Sequence, residues 1–216
     1  MKRSYTFLSA LLGLGLLFPA VAEAGVNTGG NTQSFMLVPT GVNRVTFESD
    51  APIENIVGIT SAVSGEIVFS LDNPKRKPSA RVEVELDKVK TGIAKRDSHM
   101  RSADFLNTSK YPKAEFVLQR VAVEGSLRGK SNVKATLYGS FKLHGVSRNV
   151  SVDVTIGHRK ATPGMAKFGI KGDVLRVKGS FFVKMSDYGI KVPSKLGAKV
   201  SNTVEISLAL TAFTGD

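Results

Sequence analysis

Between residues 42 and 210 the chain alternates apolar and polar side chains in one segment after another. In "VEVEL", Val82, Val84 and Leu86 share one face while Glu83 and Glu85 take the other. "VSVDVTI" sets Val150, Val152, Val154 and Ile156 against Ser151, Asp153 and Thr155, and "VEISLAL" aligns Val204, Ile206, Leu208 and Leu210. A period of two describes a strand with one face on a core and one in water, so these segments belong to antiparallel sheets. Similar runs cover Val42 to Glu48, Ser64 to Leu71, Ala114 to Val123, Val133 to Leu143 and Lys167 to Met185. Turn-forming stretches separate them, at Asp72 to Pro78, Glu124 to Asn132, His144 to Asn149 and Lys195 to Lys199. About eight such strands predict an all-β domain, either one sheet closed on itself or two packed sheets.

The N-terminus carries an address. Lys2 and Arg3 precede the apolar run "FLSALLGLGLLF" and then the small residues of "PAVAEAG". That order is a secretory signal peptide, and the run falls short of the roughly 20 apolar residues of a spanning helix. Residues 1–24 are read as the signal, with cleavage after Ala24 or after Ala22, and Gly25 to Gln33 as a flexible leader to the domain at 34–216. The mature protein is expected in the periplasm or secreted. It has no cysteine, so neither a disulfide framework nor a thiolate metal site enters, and stability must come from apolar burial and sheet hydrogen bonds. The net charge of +12 points toward anionic partners, an anionic membrane surface among them. Nucleic acid is not expected: aromatics make up 7%, Trp is absent, and no helix-turn-helix or aromatic ribonucleoprotein motif occurs.

One segment departs from the alternation. From Thr91 to Arg101 the chain reads as a helix with Ile93 and Met100 on one face, and Ser102 or Asp104 then caps a short second turn presenting Phe105 and Leu106 inward. Tyr111-Pro112 returns the chain to an extended path. His99, beside Arg96, Asp97, Arg101 and Asp104, has the surroundings of a general base, but no nucleophile motif accompanies it, and a hydrogen-bonded cap is the preferred reading. "GSLRGKS" (125–131) resembles a phosphate loop but has three residues between its glycines instead of four and runs into a strand, so it is a hairpin connection. No catalytic residue, metal ligand or cofactor is expected.

Three stretches carry a family resemblance: "AKRDSHMRSADFLNTSKYPKAEF" (94–116), "GSFKLHGVSRNVSVDVTI" (139–156) and "VKGSFFVKMSDYGIKVP" (177–193). They resemble the YceI-like polyisoprenoid-binding family. The resemblance implies a single antiparallel, lipocalin-like β-barrel with one helical segment between strands, exported to the periplasm and holding an isoprenoid or other long-chain lipid in an apolar pore. The stretch from Asn43 to Phe69 is shorter and less aromatic than the family's opening strands.

If the apolar faces point into such a barrel, alternation assigns Phe47, Val68, Val82, Val84, Phe105, Leu106, Phe116, Leu137, Phe141, Phe181 and Val183 to the pore. His99, Arg101 and Asp104 go to the cap, where a polar head group would sit. Burying a methylene is worth about 0.8 kcal/mol, so about ten of them reach roughly micromolar affinity with no polar recognition. The function expected is therefore non-catalytic lipid holding for transport, storage or stress protection. Two other classes fit the same sequence: an enzyme acting on a lipid or quinone-like isoprenoid, and an envelope protein whose barrel is filled by its own side chains. A homodimer is compatible with all three.

Overall fold

The computed structural model describes residues 32–39 and 42–215; the signal peptide and nearly all of the leader expected from sequence lie outside them. Ten strands form: β1 (Thr32–Leu37), β2 (Arg44–Asp50), β3 (Asn55–Thr60), β4 (Val63–Ser70), β5 (Ser79–Glu85), β6 (Lys113–Val123), β7 (Val133–Leu143), β8 (Val146–Arg159), β9 (Val174–Lys184) and β10 (Thr203–Phe213). Helix α1 (Ala94–Arg101) lies between β5 and β6, and the single turn α2 (Pro163–Ala166) between β8 and β9.

The strands pair antiparallel in the order β1-β4-β5-β6-β7-β8-β9-β10, and β10 returns to β1 through Met36 and Phe213. This closes an eight-stranded barrel, of the two sheet arrangements the one that leaves those strands no free edge. At its other end β10 pairs instead with β2, through Glu205–Glu48 to Ala209–Arg44, and β2 pairs with β3. The β2–β3 hairpin thus widens the wall at that end. Its outer edge meets the chain after β5 in a single bridge, where Ile59 and Lys90 exchange N–H···O bonds of 2.9 and 3.0 Å.

One close approach and one tight turn shape the sheet. In β6 the register shifts between Leu118 and Arg120, a bulge opposite Gly139 of β7. A Cβ on Gly139 would lie 2.4 Å from the Val117 carbonyl and 2.6 Å from the Phe116 ring, so only glycine fits there. The β7–β8 hairpin turns on His144 and Gly145, at φ 51° and 79°, the two positive values of a tight two-residue connection.

The structure corrects several expectations. Thr32 and Gln33, assigned to the leader, begin β1, and β3 adds a further strand. The run from Lys167 is not strand until Val174, because the loop that follows α2 occupies residues 167–173. The turn expected from His144 to Asn149 is only two residues long, since β8 pairs from Val146. Ile93 is the extended residue before α1 and 53% exposed, so it does not share a buried helical face with Met100. Ser102 caps no second turn: its hydroxyl donates backwards to the His99 carbonyl at 2.7 Å.

Candidate ligand-binding cavity

Alternation places one face of every barrel strand inside, yet those side chains do not fill the interior. A continuous cavity of about 1280 Å³ runs from α1 at one end to Leu127, Pro74 and Pro78 at the other. This exceeds the roughly 300–1,000 Å³ of small-molecule sites. The wall is almost wholly apolar, with Val82 and Val84 from β5, Ile206 and Leu208 from β10, and Phe181 and Val183 from β9. Polar lining residues gather at the α1 end: Glu54, Lys95, Arg96, Ser98, His99, Asp104 and Lys199.

Glycine sets the position of one wall aromatic. Phe47 of β2 faces Gly58 of β3 in register, and a Cβ on Gly58 would lie 2.1 Å from the Phe47 ring. The ring therefore lies flat along its neighbouring strand and leaves the lumen open. At the same level, since Phe47 and Phe181 both pair with Ile206, Phe141 meets Phe181 edge-on at 5.3 Å and Tyr188 at 5.8 Å, a geometry that aromatic quadrupoles favour.

Of the residues assigned to the pore from sequence, Phe47, Val82, Val84, Phe105, Leu106, Phe116, Leu137, Phe141, Phe181 and Val183 all line the cavity. Val68 does not. In β4 the inward set is Ile67 and Phe69, and Val68 pairs between Ser34 and Ser79 on the outer face. The apolar run Ile67-Val68-Phe69 has no alternation of its own, so its phase was not readable locally.

The polar cap is built from other residues than those expected. His99 Nε2 lies 4.0 Å from Asp104, with side chains 51% and 76% exposed, an arrangement worth little in water. Arg101 turns away to donate to the Val89 carbonyl at 2.9 Å. The latch centres on Asp97, the one buried residue of α1. Its Oδ1 accepts from the Thr91 N–H at 2.8 Å and the Thr91 hydroxyl at 2.6 Å. Arg96 donates to the Thr91 hydroxyl and carbonyl at 2.9 and 3.1 Å, and at 2.7 Å to Glu54 in the β2–β3 turn. The Thr91 hydroxyl lowers the Asp97 pKa below its ordinary value, outweighing the upward push of burial, and the Thr91 N–H, Arg101 and Arg96 add to it. The sequence signal was an aspartate in the first helical turn; Thr91 and Glu54 became partners only through the fold.

At the opposite end, buried His158 accepts the Gly129 N–H on Nδ1 at 2.8 Å, which leaves Nε2 to donate to Asp173 at 3.1 Å. Burial pushes the Asp173 pKa up, but the Ala161 N–H and His158 draw it down further, leaving it lowered. Among the described residues no group of three His, Asp or Glu side chains could hold a metal ion, and no helix is long and apolar enough to cross a membrane.

A closed antiparallel barrel around a continuous apolar lumen, with its polar lining at one capped end, is a binding fold. The chain belongs to the YceI-like domain family, whose pattern it matches over residues 38–212. It is 30% identical over 208 residues to a UPF0312 protein of Shewanella sp. strain ANA-3, covering 94% of this chain and 95% of that one. Among solved structures it resembles BcnA of Burkholderia cenocepacia, at 20% identity and TM-score 0.61 over 79% of this chain and 96% of that one. It also resembles a polyisoprenoid-binding domain from Saccharophagus degradans implicated in plant cell wall breakdown, at 17% identity and TM-score 0.61 over 86% and 100% of the two chains.

Proposed function

We propose that this protein is an exported, non-catalytic carrier that holds one long apolar lipid of the isoprenoid class along the barrel axis. The observation that carries this reading is the continuous apolar lumen of about 1280 Å³, which a filled barrel would lack. The polyisoprenoid binding described for the Saccharophagus domain supports the same ligand class. Chain methylenes meet Val82, Phe116, Leu137, Phe181 and their neighbours. A polar head lies at the α1 end, where His99, Asp104, Lys95 and Lys199 line the mouth. Holding a lipid needs desolvation and shape alone, so the reading asks no chemistry of any side chain. The basic, apolar and small-residue order of the first 24 residues supports action in the periplasm, where such a carrier transports, stores or shields its lipid.

The decisive experiment is native mass spectrometry of the mature protein isolated from its own cell envelope, followed by organic extraction. A near-stoichiometric isoprenoid is expected, and Leu137→Trp, which narrows the lumen, should lose it while keeping the barrel's circular dichroism. A clean apo mass that also refuses added polyprenyl lipids would overturn the proposal. Turnover of a lipid that disappears in His99→Ala would replace it with the enzyme reading.

A further inference from the structure

The end of the barrel opposite α1 presents a surface that lipid holding does not use. Three loops meet there, β4–β5 (residues 71–78), β6–β7 (124–132) and β8–β9 (160–173), and hydrogen bonds tie them into one platform. The Leu127 N–H donates to the Leu71 carbonyl at 2.7 Å. Arg128 bonds both oxygens of Asp72 at 2.7 Å. His158 donates its N–H to the Lys130 carbonyl at 2.8 Å and, through Asp173, holds Ala161. The β8–β9 loop is thereby pinned at both ends, because Asp173 also exchanges bonds with Thr214.

Inside that loop the Phe168 and Ile170 N–H groups bond the Met165 carbonyl at 3.0 and 3.2 Å, which fixes the turn after α2. Phe168 projects from it, 83% exposed, more than any other large apolar side chain among the described residues. The three loops of the same end also expose Arg76, Lys77, Lys130, Lys160 and Lys167. Its carboxylates Asp72 and Asp173 are engaged by Arg128 and His158, and Glu124 is exposed. One exposed aromatic sharing an end of the barrel with several lysines and arginines is the composition of a bilayer-interface anchor: the aromatic enters the headgroup region while the cations meet lipid phosphates. A nucleic-acid surface would instead offer several aromatic faces for successive bases.

We propose that this loop platform docks the protein on an anionic bilayer, with Phe168 as the inserted side chain. The inference stands apart from what occupies the lumen. The test is co-sedimentation of the mature protein with vesicles of mixed phosphatidylglycerol and phosphatidylcholine, and with phosphatidylcholine alone. Binding is expected only to the anionic vesicles and should fall with added salt. Phe168→Ser should weaken it by at least about tenfold, and Lys160→Gln and Lys167→Gln by about fivefold each. Both lysines are exposed, so their variants keep the fold even if Phe168→Ser does not, and lumen loading should be unchanged in all three. Equal binding to neutral vesicles, no binding, binding indifferent to these substitutions, or binding to RNA in place of vesicles would overturn the proposal.

Discussion

Where β1, β4 and β9 approach the three-loop platform, Phe35 and Leu71 are 0% exposed and Leu127 and Leu175 1%, so that end is shut by apolar packing. At the other end α1 buries the Asp97 carboxylate in place of a hydrophobic side chain; Thr91 donates two hydrogen bonds to it, and Arg96 ties the helix to Thr91 and Glu54. Both ends use a lowered aspartate, Asp173 in one and Asp97 in the other, but Asp173 supports a packed core and Asp97 a polar latch. Apolar packing is lost only by global opening, whereas a few hydrogen bonds can be broken locally. The contrast predicts that the α1 end, taken as the gate of the lumen, opens at lower cost than the loop platform, its base.

Breaking the base should cost most. Phe35 stacks on Phe69 at 5.8 Å and meets His158 edge-on at 6.2 Å, so Phe35→Ala should lose about 3–5 kcal/mol in denaturant unfolding. Breaking the latch should cost less and act locally: Asp97→Ala is expected to remove about 1–3 kcal/mol. Hydrogen exchange of residues 94–101 should accelerate while β7 to β9 stay protected, and loss of protection throughout the barrel would show that α1 is no separate unit.

Acid sharpens the same contrast. Asp97 and Asp173 each have a folded pKa below the ordinary 3.8, so the unfolded chain binds their protons first as pH falls. The stability they contribute is present above that value and is lost as pH drops through their folded pKa values. Thermal melts from about pH 5 downward should show this, and Asp97→Asn should flatten the α1 share of the loss, read by hydrogen exchange.

Between the ends, Gly58→Val should push the Phe47 ring into the lumen, costing about 1–3 kcal/mol and favouring shorter lipid chains in the extracted material. The smallest effect belongs to His99→Gln. Its ring rests against Phe105 at 5.0 Å but is half exposed, so stability should move by less than about 0.5 kcal/mol. A larger loss would mean that the His99–Asp104 pair, and not Asp97, holds the gate.

Much of this was legible in the chain. The phase of β5, β8 and β10 follows from clean alternation, and Val82, Val152 and Leu208 face inward as the pattern requires. Val68 went wrong because three apolar residues in a row carry no phase, and the register with β1 and β5 settled it. The expected His99, Arg101 and Asp104 network was read from adjacency along the chain, and adjacency does not say which carboxylate is buried.

Period-two patterning, the missing cysteines and the turn residues were enough to require a β-domain with an apolar interior, because those properties act between near neighbours in sequence. Whether that interior is solid or hollow was decided only by closure, which depends on β10 reaching β1 and on Gly58 and Gly139 drawing Phe47 and Phe116 against the wall. The latch and the platform also belong to the tertiary structure: Arg96 finds Glu54, and His158 finds Gly129 and Asp173, across separations that no local pattern spans.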